Sequence, residues 1–288
     1  MKGDWDVVKG RYGFNNPDTE TSRFSLRSEL YRISPSSSSD ATWAQALENC
    51  KVANLHDVPE FIRYCRPFID TTNVEPALVI PFSTFVVARK NYFGQDLAGG
   101  DNAYDASHAA TKIRSAGVWF TGYNTTFNTN STGGGLGNEP RVYLIPVGQD
   151  VMRSPTRNAI ETRSWTVFDQ AIPLPYNVGG ADVDNPDWIP VMNSLREPLA
   201  QIRRYASLRA YHDNGQFDEA ETHNNSRLVG RSVWNTRWLL IIPGSTLLAD
   251  PAEGIERFVH GALVNGTRDG NGIKDIKIFF QTYSLSGD

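Results

Sequence analysis

The residues best suited to chemistry lie in the stretch 101–123, which begins as a polar loop and continues as an apolar strand. His108 is the one histidine in this stretch, and Lys112 and Arg114 follow it at alternate positions. The segment Ile113–Phe120 alternates between apolar and polar residues, which predicts a strand with one buried face and both cations on the solvent face. A single histidine in such a place is typical of a hydrogen-bonded loop residue.

No motif for nucleophilic catalysis is present. The sequence lacks a Gly-x-Ser-x-Gly elbow, and neither Cys50 nor Cys65 lies in an electropositive setting that would lower the pKa of its thiol. Both cysteines fall on apolar faces of predicted helices, so we expect free, buried thiols. The glycine-rich segment Gly133–Gly137 precedes a strand and lacks the Lys-Ser/Thr ending of a phosphate loop, so it is read as a surface loop. We therefore predict that the chain is not an enzyme and has no catalytic residue.

Two groups of oxygen-bearing side chains are candidate calcium ligands, because hard cations prefer several oxygens from a short, turning segment. The first group comprises Asp269, Asn271 and Asp275. The second comprises Asp182, Asp184 and Asp187. In the first group the neighbouring glycines also fit a tight turn without metal, and the second fits a solvated loop. No cofactor is predicted, and calcium is kept as the alternative.

Two aromatic residues lie at the edge of, or within, polar loops. Tyr123 and Trp188 could each stack against a sugar ring, although most aromatic residues of a β-rich domain belong to its core. These two residues define a candidate ligand loop. They are the basis of an alternative function, a carbohydrate-binding, lectin-like module that acts with or without calcium.

The bulk composition excludes several classes of partner. A net charge of −4 over 288 residues provides no field that would hold a phosphate backbone, so nucleic acid is excluded. No apolar run approaches the roughly 18 residues of a membrane span. The first residues, MKGDWDVVKGRYGF, lack the hydrophobic core of a signal peptide. We expect either export by another route as part of a larger extracellular or cell-surface assembly, or a cytoplasmic location if the protein stands alone.

The pattern of elements predicts a mainly β fold, an antiparallel, jelly-roll-like β-sandwich decorated with three or four short helices. Residues 1–40 read as an extended lead-in with one strand over Arg23–Ile33, and 41–288 as a single domain. Helical insertions are predicted at about 41–66, 193–206 and 251–263. The segment Arg237–Ile242 is the most hydrophobic strand, and we expect it to be buried on both faces.

One run of residues carries a family resemblance. The spacing His108-x-x-x-Lys112-Ile113-Arg114-Ser115 resembles a run near the C-terminus of the A components of bacterial Tc (toxin complex) insecticidal toxins. In that family the run follows a Tyr-Pro-Gly-His-Tyr segment and leads into a strand of a β-sandwich. Here the Pro-Gly is missing, and Ala109 replaces the second tyrosine.

The resemblance implies a non-catalytic interaction module of a large secreted assembly. In the toxin family this region contributes to docking the cocoon-forming B/C component. The matching residues His108, Lys112 and Arg114 would then have structural or interface roles. The loop before His108, residues 94–108, is the part that could face a partner, and the sequence leaves open whether it contacts protein, sugar or only water.

Overall fold

The structure is a computed structural model that describes residues 18–65, 73–103, 108–123, 135–137, 140–154, 161–166, 173–175 and 231–286. In these ranges the chain consists mostly of strands in several antiparallel sheets, with few helices. The mainly β prediction is therefore confirmed. The sheets are not closed on one another, and the jelly-roll arrangement stays a prediction.

The strands and helices are numbered in chain order. The strands are β1 (Asp18–Ser25), β2 (Lys51–Val52), β3 (Ala77–Phe82), β4 (His108–Thr121), β5 (Arg141–Pro146), β6 (Asp150–Arg153), β7 (Thr162–Trp165), β8 (Pro173–Pro175), β9 (Trp234–Asn235), β10 (Trp238–Pro243), β11 (Leu263–Val264), β12 (Thr267–Arg268) and β13 (Asp275–Ser286). The α-helices are α1 (Asp40–Glu48), α2 (Pro59–Cys65) and α3 (Pro251–His260). A π-helical turn spans Leu26–Leu30, and 3-10 turns span Ser37–Ser39, Leu55–Asp57 and Gly244–Thr246.

Two sheets form most of the described structure. The terminal sheet has the strand order β1-β13-β4, and the central sheet has the order β2-β3-β10-β5-β8. A smaller sheet has the order β7-β6-β9, and β11 and β12 form a hairpin. All of the strand pairs are antiparallel.

Strand β10 lies in the middle of the central sheet and is buried on both faces, as predicted. Its even-numbered apolar side chains enter the main core, whereas Leu239 and Ile241 enter a second, smaller core on the opposite face. That second core is covered by Leu55 and by Phe61 of α2. Complete burial of an aliphatic or aromatic side chain contributes roughly 1.5–3 kcal/mol, so this strand is a major source of stability.

The main core also receives side chains from the terminal sheet. Phe24 of β1, Phe120 of β4 and Phe280 of β13 are at most 1% exposed and belong to the same cluster as Trp238 and Leu240 of β10. The ring of Trp238 stacks on Phe82 and tilts against Phe280, which joins the two sheets.

Strand β4 contains a bulge at Arg114. Ser115 pairs with Gln281 and Ile113 pairs with Thr282, so Arg114 has no partner on β13. The extra residue shifts the phase of the strand: Thr111 and Ile113 are buried before the bulge, whereas Ala116 and Val118 are buried after it. The prediction of uninterrupted alternation over Ile113–Phe120 is therefore wrong at this point.

The lead-in is part of the terminal sheet, because β1 pairs with β13 along its whole length. The predicted strand over Arg23–Ile33 is wrong after Ser25, where the π-helical turn begins. Two reciprocal hydrogen bonds favour this turn: Ser28 N donates to Ser25 Oγ (2.9 Å), and Ser25 N donates to Glu29 Oε1 (3.0 Å).

Helix α3 begins as predicted and ends earlier. The Asp250 carboxylate accepts hydrogen bonds from the Ala252 and Glu253 amides, and Pro251 occupies the first turn. Gly261 adopts φ 85° and ends the helix at His260, so its predicted extension to 263 is wrong. Helix α1 begins near residue 41 as predicted, but the insertion predicted at about 41–66 is not continuous, because α1 ends at Glu48 and β2 precedes α2. The helix predicted over 193–206 lies outside the described residues.

Candidate interaction surface

The described part of the connection between β3 and β4 is Ser83–Ala103, which is called here the β3–β4 loop. Two of its aromatic side chains, Tyr92 and Phe93, are buried in the main core. The ring centroid of Tyr92 lies 4.0 Å from that of Phe24 and 4.1 Å from that of Trp234. These contacts anchor the middle of the loop to the terminal sheet and to β9.

Buried polar groups hold the loop backbone at two further points. Asn91 is fully buried: its Nδ2 donates to the Glu29 carbonyl (2.9 Å), and its Oδ1 accepts from Phe93 N (3.0 Å) and Gln95 N (2.9 Å). The Asn102 amide N donates to Glu29 Oε2 (3.0 Å), and its Nδ2 donates to Glu29 Oε1 (3.1 Å). Burial raises the pKa of Glu29, although these hydrogen bonds act in the opposite direction.

Two ion pairs hold the outer rim of the loop, one to the π-helical turn region of the chain and one within the loop itself. Arg32 Nη1 lies 2.8 Å from Asp101 Oδ2, and Lys90 Nζ lies 2.5 Å from Asp96 Oδ1. Burial alone would raise the pKa of Asp101, but hydrogen bonds from Arg32 and from the Ala98 amide hold it below its ordinary value. The loop is thus ordered by contacts on its inner and lateral sides.

The outer side of the loop presents three large apolar side chains. Phe85, Val87 and Leu97 are 41%, 44% and 48% exposed. Only two other large apolar side chains among the described residues, Val74 and Leu285, are exposed to a similar or greater extent. Single exposed apolar residues are ordinary, whereas their concentration in one loop is typical of a contact surface.

Gly94 fixes the position of the Phe85 ring. It adopts φ 78°, and a Cβ built on it would lie 2.9 Å from the Phe85 ring. The Phe85 amide also donates to the Tyr92 carbonyl (2.9 Å). The exposed ring therefore lies against a backbone position that favours glycine, because a Cβ there would meet the ring.

The residues of the family-like run lie on β4, directly after the loop. His108 is half-buried with its Nδ1 3.6 Å from Glu20 Oε2, and its carbonyl accepts a hydrogen bond from Arg153. Lys112 is also half-buried, whereas the sequence predicted it on the solvent face. Its backbone forms an isolated antiparallel β-bridge with Ser232. Arg114 lies at the bulge, and its side chain is outside the described residues. Their interface roles stay predictions.

The candidate sugar-binding residues are not brought together among the described residues. The Tyr123 side chain is only 8% exposed, its hydroxyl donates to the Gly137 carbonyl (2.8 Å), and its ring stacks on Phe120. Burial raises the pKa of its hydroxyl. This ring belongs to the core, where a sugar cannot stack on it. Trp188 lies outside the described residues.

The first candidate calcium group does not converge. Asp269 Oδ1 accepts from the Asn271 amide (2.9 Å), which closes a local turn. Asp275 points elsewhere: its carboxylate accepts from Ser25 Oγ (2.7 Å) and from the Arg27 amide (3.2 Å), and burial raises its pKa. The second candidate group, Asp182, Asp184 and Asp187, lies outside the described residues.

One cluster of potential metal ligands occurs among the described residues, and it was not foreseen from the sequence. Glu48, Glu256 and His260 place one ligand atom each within 4.8 Å of one another. The spacing of Glu256 and His260, one helical turn apart on α3, is visible in the sequence, but the approach of α1 depends on the tertiary fold.

An ammonium group already lies between the two carboxylates of this cluster. Lys51 Nζ forms ion pairs with Glu48 and with Glu256 (2.6 Å), and His260 Nε2 contacts the same Glu48 oxygen. Burial alone would raise the pKa of Glu48, but hydrogen bonds from Lys51 and His260 lower it. We interpret the cluster as an ion-pair network that joins α1, β2 and α3.

The environment of Cys50 disfavours nucleophilic chemistry. Cys50 is a free, half-buried thiol whose Sγ lies 3.3 Å from the Tyr31 hydroxyl oxygen. Burial raises its pKa, which lowers the thiolate fraction at neutral pH. The prediction of a free thiol is confirmed for Cys50, and the Cys65 side chain lies outside the described residues.

Comparisons of the chain with protein-family models, with curated proteins and with solved structures give no match. Among the described residues, no helix has both the length and the hydrophobicity needed to cross a membrane.

Proposed function

We propose that the chain is a non-catalytic protein-interaction module of a larger secreted assembly and that the β3–β4 loop is its docking surface. The observation that carries this proposal is the concentration of exposed Phe85, Val87 and Leu97 on a loop with a buried anchor. Apolar side chains at the centre of an interface supply much of the binding energy when they are desolvated.

The ordering of the loop supports this role. A docking loop that is disordered before binding must lose conformational entropy when the complex forms. Here Asn91, Asn102 and Tyr92 already fix the backbone through buried contacts. The loop can therefore present its apolar side chains without a large ordering cost.

The resemblance of His108–Ser115 to the Tc toxin A components suggests the class of partner. In that family the corresponding region contributes to docking the B/C component, so a purified B/C component is the first probe. The terminal and central sheets would then be the two layers of a β-sandwich, which is supported by the core that they share. The loop leaves this sandwich from β3 and returns to it at β4.

The test is a pull-down with an immobilised B/C component. We expect the wild-type chain to be retained and a variant with Phe85→Ser, Val87→Ser and Leu97→Ser to bind at least about tenfold more weakly, equivalent to about 1.4 kcal/mol. The matched control carries Val74→Ser and Leu285→Ser, which remove exposed apolar groups outside the loop. We expect this control to bind like the wild type.

A glycan array, probed with and without calcium, distinguishes the proposed protein-interaction function from the lectin-like alternative. We expect no glycan to be retained under either condition. Calcium-dependent glycan binding, together with no retention on the B/C component, would reject the proposal in favour of the alternative.

A further inference from the structure

Two asparagine-glycine pairs occur close together among the described residues, and their environments differ. They are Asn265-Gly266 and Asn271-Gly272. An asparagine followed by glycine can cyclise, because the glycine has no side chain to hinder attack by its own backbone nitrogen. The folded backbone decides whether that nitrogen can reach the side-chain carbon.

Asn265-Gly266 forms the exposed tip of the β11–β12 hairpin. Val264 pairs with Thr267, and the two central residues adopt φ 51° and φ 80°, as in a two-residue hairpin turn. Both residues are exposed, and no atom lies within 4 Å of the place where a Gly266 Cβ would stand. The turn therefore has open space around the reacting groups.

Asn271-Gly272 is held against the end of α3. A Cβ on Gly272 would lie 2.0 Å from the Val259 carbonyl oxygen, so the backbones are in close contact. Gly270 N donates to the His260 carbonyl (3.1 Å), and Ile273 N donates to the Phe258 carbonyl (2.8 Å). These bonds on both sides restrict rotation of the intervening pair.

We propose that Asn265 is a site of spontaneous deamidation and that the fold protects Asn271. The Gly266 backbone nitrogen loses its proton to solvent and bonds to Asn265 Cγ. The bond from Cγ to Nδ2 breaks, and the side-chain nitrogen leaves as ammonia. Water then opens the resulting cyclic imide to aspartate or isoaspartate, so that one amide is exchanged for one carboxylate.

The modification changes both charge and backbone at the hairpin. Each event adds one negative charge, and the isoaspartate product inserts an additional atom into the main chain of a two-residue turn. The register from Leu263 to Arg268 depends on that turn length. We therefore expect isoaspartate to open the hairpin, whereas the variant Asn265→Asp keeps it closed.

Trypsin separates the two sites, because cleavage after Arg257, Arg268 and Lys274 places each asparagine in its own peptide. The folded chain is incubated at 37 °C in slightly alkaline buffer, and the peptides 258–268 and 269–274 are followed by mass spectrometry. We expect the Asn265 peptide to convert several-fold faster than the Asn271 peptide. In concentrated urea, which removes the structural protection, we expect the two rates to become similar.

The matched variant Asn265→Gln should abolish the early acidic form of the tryptic peptide 258–268. Equal rates in the folded chain, faster conversion of Asn271, or conversion of both sites only in urea would each overturn the proposal.

Discussion

At the residue scale, the buried pair Asp150–Arg231 is the most consequential polar contact away from the loop. Asp150 is fully buried, and its Oδ2 accepts from Arg231 Nε (2.8 Å), while Asn235 lies near its other oxygen. Burial raises the pKa of Asp150, with Arg231 acting against that shift. The pair joins β6 to the segment that leads into β9.

Removing one member of this pair should be costly. We expect Arg231→Met to reduce the free energy of unfolding by about 3–5 kcal/mol, because it leaves an unpaired buried carboxylate. Urea denaturation measures this loss. The double variant Asp150→Leu, Arg231→Met is the control and should be less destabilised than the single variant; a greater loss would contradict this explanation.

Glu253 should make stability depend on acid pH. Both of its oxygens lie 2.7 Å from Arg268 nitrogens, and these hydrogen bonds lower the pKa of Glu253, while burial acts in the opposite direction. The stabilisation is therefore fully present above the unfolded pKa of about 4.3 and is lost as the pH falls through the lower folded value.

The measurement is the free energy of unfolding from pH 6 to pH 2.5. We expect Glu253→Gln to flatten the fall in stability below about pH 4.3. Arg268→Met should flatten it less, because Arg257 Nη2 still donates to Glu253 Oε1 (3.2 Å). An unchanged pH profile in both variants would show that the pair does not contribute.

At the scale of elements, α3 depends on its N-terminal cap. Asp250 Oδ1 accepts from Ala252 N (3.1 Å) and Glu253 N (3.2 Å). We expect Asp250→Ala to reduce the free energy of unfolding by about 1 kcal/mol, and Asp250→Ser, which retains a capping oxygen, to cost less. Thermal denaturation of both variants tests this order, and equal losses would count against the cap.

Some of these elements could be predicted from the sequence, and others could not. β10 was predicted because a run of large apolar residues is typical of a strand that is buried on both faces. The start of α3 was predicted because Asp250 and Pro251 are local signals. The bulge at Arg114 was not, since it depends on pairing with β13, more than 160 positions further along the chain. The Asn265-Gly266 hairpin did have a local signal, but the predicted helix was extended to 263, into the first strand of that hairpin.

At the scale of the whole molecule, the candidate surface was only partly predictable. The loop before His108 was expected to face a partner, because it is polar and precedes a core strand. The exposed apolar side chains earlier in the β3–β4 loop were not predicted, because the composition around Phe85 and Val87 is typical of a strand. Whether such residues are buried depends on Tyr92 and Asn91, which take the inner positions through contacts with Phe24 and Glu29.

The β3–β4 loop takes part both in the core of the fold and in the proposed docking surface. Its inner side contributes to the shared core of the two large sheets, and its outer side carries the exposed apolar side chains. If the proposed docking function holds, stability and recognition depend on two different sides of one segment. Substitutions on the outer side should change binding while they leave the unfolding transition nearly unchanged.

The most direct test of the docking surface is the dissociation constant of the complex with a purified B/C component, measured for three folded proteins. These are the wild type, the loop variant (Phe85→Ser, Val87→Ser, Leu97→Ser) and the matched control (Val74→Ser, Leu285→Ser). We predict that the loop variant alone binds at least about tenfold more weakly. Equal affinities for the loop variant and the wild type, or no binding of the wild type, would contradict the proposed function.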